Sequence, residues 1–172
     1  MRWILWTFLV LVGVVTLVIV IGWLLPRDHV ASRTGRYRQS PEAIWAAITD
    51  VEAMPSWREG LKSVKKLPDR NGLPAHIEVS SMGELPMETV EMTPPRKLVG
   101  RIADPKLSFG GTWTFEIAPV PDGATLRITE NGYIINPVFR FMSRFVLGYT
   151  GEMEKYLRSL AKKFGEQPQI GV

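Results

Sequence analysis

Asn136-Pro137-Val138-Phe139-Arg140-Phe141-Met142-Ser143-Arg144-Phe145-Val146-Leu147 sits inside the stretch Asn131–Phe164, whose reading decides the fold. Asn136 is a good N-cap, and Pro137 takes the first helical position, where its missing N–H costs nothing. From there Val138, Met142, Phe145, Val146, Tyr149, Met153, Tyr156, Leu157, Leu160 and Phe164 recur at three- and four-residue steps. That spacing predicts one face of a helix about seven turns long. Lys155, Arg158, Lys162 and Lys163 suit the negative end of its dipole, and Gly165 is a natural stop. A long helix with one apolar stripe needs an apolar surface to lie on. Residues 32–135 have to supply it.

The chain has 172 residues, enough for one membrane segment and one domain with a core of its own. A net charge of +4 is mild, and the Lys and Arg are scattered apart from Arg33, Arg36 and Arg38 and the group Lys62, Lys65 and Lys66. Both groups read as solvated strand faces, so a nucleic-acid partner is not expected. There is no cysteine, hence no disulfide, thiolate nucleophile or cysteine-based metal site. The compartment stays open on that count.

Working outward to the N-terminus, Trp3–Leu25 carries no charged residue. Its length matches a hydrocarbon core of about 30 Å with some tilt. Trp3, Trp6 and Trp23 lie near its ends, where indole rings favour the interface. The rival reading is a cleaved signal peptide, but the run is too long and His29 occupies a place that wants a small residue. The expectation is an uncleaved single-pass anchor over 3–25 in the cell membrane, then a linker over 26–31. Arg27, Arg33, Arg36 and Arg38 outnumber Arg2 across the span, which places the domain on the cytoplasmic side.

Residues 32–39 alternate weakly as a first strand. Ser40-Pro41-Glu42 opens a short helix with Ile44, Trp45 and Ile48 on its apolar side, and Asp50–Trp57 is a second helical turn broken by Pro55. Six strand-like runs follow: Leu61–Leu67, Ala75–Ser81, Leu85–Thr93, Lys97–Ala103, Thr112–Pro119 and Ala124–Ile135. A change of parity between Met87 and Val90 predicts a bulge. No repeat is present, and residues 166–172 read as a flexible tail. The pattern is α+β, an antiparallel sheet of about seven strands half-covered by one long C-terminal helix. A strongly curved sheet closing on such a helix leaves an apolar gap.

Arg38-Gln39-Ser40-Pro41-Glu42-Ala43-Ile44-Trp45, Thr49-Asp50 and Pro55-Ser56-Trp57 resemble the opening of the SRPBCC superfamily, in its polyketide cyclase/dehydrase-like, START-related branch. Gly111–Phe115 and Gly123–Glu130 resemble its last hairpin, and Asn136-Pro137 opening a C-terminal helix fits as well. The likeness covers about residues 32–165. It implies a helix-grip fold, with a curved sheet wrapped around the helix and a deep hydrophobic cavity between them. Members of the superfamily bind lipids, sterols or polyketides, and some catalyse cyclisation or dehydration. They share no catalytic pattern, so no catalytic residue carries over. A membrane anchor departs from the commonest, soluble members.

His29 and His76 are too few and too isolated for a metal centre or a catalytic triad, and His76 reads as a surface strand residue. Gly110-Gly111 precedes a strand rather than a helix and is a turn. Met82, Met87, Met92 and Met142 fit either core filling or an adaptable pocket. Phe139 and Phe141 flank the main helix stripe with Arg140 and Arg144 between them. They fit a cavity mouth, contact with a membrane surface, or an overfilled core. Gly148 and Gly151 suit a bend or a close approach. A turn at Pro121-Asp122 pairs Ile117 with Leu126, Phe115 with Ile128, and Trp113 with Glu130. Glu130 then faces the cavity beside Trp113, unless the strand twists and turns it to water.

The candidate ligand-binding residues are therefore Trp113, Glu130, Phe115, Met92, Phe141, Met142 and Phe145, with no metal and no cofactor. The expected function is membrane-anchored binding of a hydrophobic small molecule or lipid without covalent chemistry. A cyclase, dehydratase or isomerase in the same cavity is one rival. The other is an interaction module that assists a membrane complex or chaperone.

Overall fold

The computed structural model describes residues 2–171. Over its most apolar window helix α1, Arg2–Leu24, buries nothing inside the protein; only its C-terminal end, at Gly22, is covered. At 1.5 Å per residue it is about 34 Å long, enough to cross a bilayer. Its hydroxyls are satisfied within the helix, Thr7 Oγ1 donating to the Trp3 carbonyl at 2.9 Å and Thr16 Oγ1 to that of Val12 at 2.8 Å. A lipid environment requires that internal satisfaction.

Strand β1 starts at Asp28 and runs to Tyr37, so the expected linker shrinks to a turn. Helix α2 covers Pro41–Thr49, with Ser40 Oγ accepting from the Ala43 N–H at 3.2 Å. A 3₁₀ turn at Met54–Ser56 follows. The sheet continues through β2 (Leu61–Arg70), β3 (Leu73–Ser80), β4 (Gly83–Thr93), β5 (Lys97–Ile102), β6 (Phe109–Val120) and β7 (Gly123–Ile134). Strand β8, Gln169–Gly171, closes the chain. All pairs are antiparallel in the order β2-β3-β4-β5-β6-β7-β1-β8, and the register slips at Thr89/Glu91, where the parity change predicts a bulge.

Two expectations change. The tail, read as flexible, supplies β8, whose Thr34↔Gly171 and Arg36↔Gln169 pairs cover the free edge of β1. Three residues without an apolar pattern give no strand signal, and the exposed β1 edge supplies one. The long helix is the larger correction, because it is not one helix. It divides into α3 (Pro137–Met142), a π-helical turn (Ser143–Leu147) and α4 (Gly151–Lys163). The break is at Gly148, with φ 73° and ψ 177°, a conformation open essentially to glycine alone.

Of these three pieces it is α4 that grips the sheet, beside α2. Met153, Tyr156, Leu157, Leu160 and Ala161 interlock with Tyr37, Ile44, Ile48, Ile117, Leu126 and Ile128, and Tyr37 donates to the Leu157 carbonyl at 3.0 Å. Wholly buried leucines such as Leu157 and Leu160 each contribute about 1.5–3 kcal/mol. Helix α3 instead packs on the end of α1. A Cβ on Gly22 would lie 1.9 Å from the Pro137 carbonyl oxygen, so only glycine permits the approach. Arg140 Nη1 then donates to the Leu25 carbonyl at 2.6 Å, satisfying one of the open carbonyls at the end of α1.

Candidate functional site

The β6–β7 register is the one that the turn position predicts: Ile117↔Leu126, Phe115↔Ile128 and Trp113↔Glu130. Met92 faces Leu98, and Leu98 faces Phe115, so Met92, Phe115 and Trp113 share the inner face of the sheet. Glu130 turns neither freely to water nor into an apolar void. Its Oε2 accepts from Trp113 Nε1 at 3.0 Å, and its Oε1 lies 3.1 Å from His29 Nε2. The His29 ring stacks on Tyr149 at 4.2 Å between centroids. Phe141, Met142 and Phe145 do not join this group. They belong to α3 and the π-helical turn, and Phe141 and Phe145 make their ring contact with each other at 4.9 Å.

A second polar group on the same face went unread in the sequence. His76, expected at the surface, has a side chain only 12% exposed and points inward with Glu78. The apolar residues of β3 misled. Ile77 faces Lys65, and Val79 faces Glu84, on the outer side of the sheet, and the polar alternates face in. Arg58 Nη1 donates to Glu78 Oε1, and its guanidinium lies 5.2 Å above the Tyr156 ring. His76 Nε2 is 3.7 Å from Glu78 Oε1, too far for a hydrogen bond. Burial pushes the Glu78 carboxyl up, but His76 and Arg58 outweigh it and hold the group below its ordinary value. Burial pushes the Tyr156 hydroxyl well up, so it stays a neutral donor.

Tyr156 joins the two groups. Its ring meets Trp57 at 5.4 Å, Phe115 at 5.5 Å and Trp113 at 6.3 Å. These rings occupy the middle of the space that the resemblance assigns to a deep chamber. Towards β3–β5 the inner face is less deeply covered, with Met87, Leu98 and Ile102 only partly buried. The buried polar atoms here are short of partners. The Tyr156 hydroxyl, Trp57 Nε1 and both His76 ring nitrogens make no hydrogen bond within the protein. Each such group costs about 1–3 kcal/mol until something pairs it. A ligand hydroxyl or carbonyl would pair with these donors.

Two surface grooves lie elsewhere. One of about 540 Å³ is lined by Arg36, Tyr37, Arg38, Asp122 and Glu166, and one of about 270 Å³ by Arg33, Glu154 and Arg158. Both are lined mainly by charged and polar side chains, and neither is lined by Trp57, Trp113, Phe115 or Tyr156. No cluster of three His, Cys, Asp or Glu side chains able to hold a metal occurs among the described residues.

Residues 32–165 match a family described as polyketide cyclase/dehydrase and lipid transport. Among curated proteins, none matches the chain. Solved structures share the fold at low identity. A START superfamily protein from Mycobacterium smegmatis is 19% identical with a TM-score of 0.61, over 79% of this chain and 99% of its own. Norcoclaurine synthase from Thalictrum flavum is 10% identical with a TM-score of 0.63, over 81% of this chain and 88% of its own. The di-domain ARO/CYC StfQ from the steffimycin biosynthetic pathway is 15% identical with a TM-score of 0.61, over 81% of this chain and 52% of its own. At these identities the likeness establishes the fold and nothing finer.

Proposed function

Because the chain belongs to the polyketide cyclase/dehydrase and lipid-transport family, we propose that it binds a hydrophobic small molecule or lipid on the inner face of its sheet. In this reading α1 is an uncleaved anchor and the domain faces the cytoplasm. The observation that carries the binding is the cluster of unpaired buried donors at Tyr156, Trp57 and His76 amid aromatic rings. Apolar walls with a few convergent polar groups are what an amphipathic ligand needs. Met92, Trp113 and Phe115 would meet its hydrocarbon part. The donors would meet its oxygens, and Glu130, held by Trp113 and His29, would mark the other end.

The charges fit binding better than proton transfer. A carboxyl held below its ordinary value is a weak base at neutral pH and is not an acid there. Glu78 is suited to compensating Arg58. A second reading rests on His76, whose two nitrogens are unpaired beside that carboxylate. It would serve an isomerase or dehydratase as general base.

The test is native mass spectrometry of the detergent-purified full chain, expected to show a retained lipid-sized ligand. Tyr156→Phe, which removes only a hydroxyl, should weaken retention by roughly 1 kcal/mol, about fivefold. A ligand-free chain, or retention unchanged in Tyr156→Phe, would remove the donor cluster from the site. Turnover of a bound ligand that His76→Gln abolishes without loss of affinity would establish the enzyme reading instead.

A further inference from the structure

We infer that residues 137–147, α3 with its π-helical turn, dock on a lipid bilayer bearing anionic headgroups, as a wedge beside the end of α1. The inference rests on the reading of α1 as a membrane span. Phe139, Phe145, Val146 and Leu147 are 58%, 59%, 63% and 66% exposed. Large apolar side chains gathered on one short segment mark an interaction surface.

The position of the segment selects the occupant. Gly22 lets the Pro137 carbonyl close on the last turn of α1, and Arg140 ties the segment to the Leu25 carbonyl. The wedge is thereby fixed at the level where the apolar run of α1 ends and Trp23 lies 71% exposed. An exposed indole at that depth belongs to the interface, so the apolar face of the wedge continues the lipid-facing surface of α1. Its charge agrees. Residues 137–147 contain two arginines, Arg140 and Arg144, and no acidic residue. Arg144 is exposed, which suits a negative headgroup layer; past the end of α1, exposed Arg27 and Asp28 offset each other. The break at Gly148 lets the segment lie at its own angle while α4 stays on the sheet. Tyr149 follows at once and stacks on His29, the partner of Glu130. Docking would set the Trp113–Glu130 end of the inner face next to the bilayer.

The chain contains no cysteine, so single cysteines can report depth in the full-length protein. An environment-sensitive NBD probe at Phe139→Cys or Val146→Cys would be compared with one at Val12→Cys in α1 and one at Met82→Cys, a loop site 88% exposed. The vesicles are phosphatidylcholine with a minority of phosphatidylglycerol. Expected at 139 and 146 are a blue shift, quenching by nitroxide-labelled acyl chains and protection from aqueous iodide, with depths of about 5–10 Å below the headgroups. The probe at 82 should behave oppositely, and the probe at 12 should lie deepest. If 12 is lipid-quenched while 139 and 146 quench with iodide like 82, the span stands and the wedge falls. Shielding of 139 and 146 from both quenchers means that protein covers them, and this also overturns the inference. If 12 is not lipid-quenched, the anchor reading fails first. Equal depth in phosphatidylcholine alone overturns the anionic requirement.

Discussion

Glu78 carries a buried charge that the fold cannot hold without Arg58. The carboxylate and the guanidinium have side chains only 11% and 20% exposed, so each is costly without the other. Arg58→Met should destabilise the domain by about 3–5 kcal/mol, whereas exchanging both partners for apolar residues should come close to neutral. The pH dependence follows from the lowered carboxyl of Glu78. Its folded value lies below the ordinary 4.5, so its contribution is complete above the unfolded-state value and is lost as pH falls through the folded one. Urea unfolding across that acidic window should show a steeper loss for the native chain than for Glu78→Gln. Parallel curves would mean that the pair adds nothing to stability.

At the scale of the element, the two glycines after the π-helical turn have different tasks. Gly148 holds φ 73° and ψ 177°, which a side chain adopts at a cost of about 1–3 kcal/mol. Gly151 begins α4 in ordinary helical space, and a Cβ there would meet nothing within 4 Å. Gly148→Ala should therefore lower stability by roughly that amount and favour an uninterrupted helix. Gly151→Ala should be neutral or slightly stabilising. Thermal unfolding of the two variants decides it, since equal effects would show that the break at 148 is not what the glycine supplies. The helix is broken because its halves have different partners: α4 needs the sheet, and α3 is drawn to α1 by Gly22 and Arg140.

For the whole molecule, the proposed anchoring by α1 carries a prediction about which side of the bilayer holds the domain. The arginine imbalance across α1 favours the cytoplasm. Arg33 and Arg36 belong to folded β1, where Arg33 pairs with Glu154 at 2.9 Å and Arg36 donates to the Pro121 carbonyl. Arg140, distant in sequence, folds back beside the end of α1 and adds positive charge there. Protease added outside intact cells should leave residues 32–172 whole. Digestion of the domain while a cytoplasmic control survives would reverse the orientation.

The sequence by itself determined the elements whose signals are local. The caps at Ser40 and Asn136, the bulge before Glu91 and the register that sets Glu130 against Trp113 each follow from a few neighbouring residues and fixed backbone geometry. The family motifs were legible for the same reason. The tertiary structure alone decided where helical periodicity stops being one helix. Val138–Phe164 keeps the same apolar spacing throughout, and only the competing attractions of α1 and the sheet divide it at Gly148. It also decided which side of β3 faces in. Strand alternation offers two faces of equal standing, and the apolar one, Ile77 and Val79, proved to be the outer. Burial of a polar face is affordable only if partners arrive from elsewhere in the chain. Arg58 from the loop before β2 and Tyr156 from α4 are those partners, and no local pattern in the sequence places them beside Glu78.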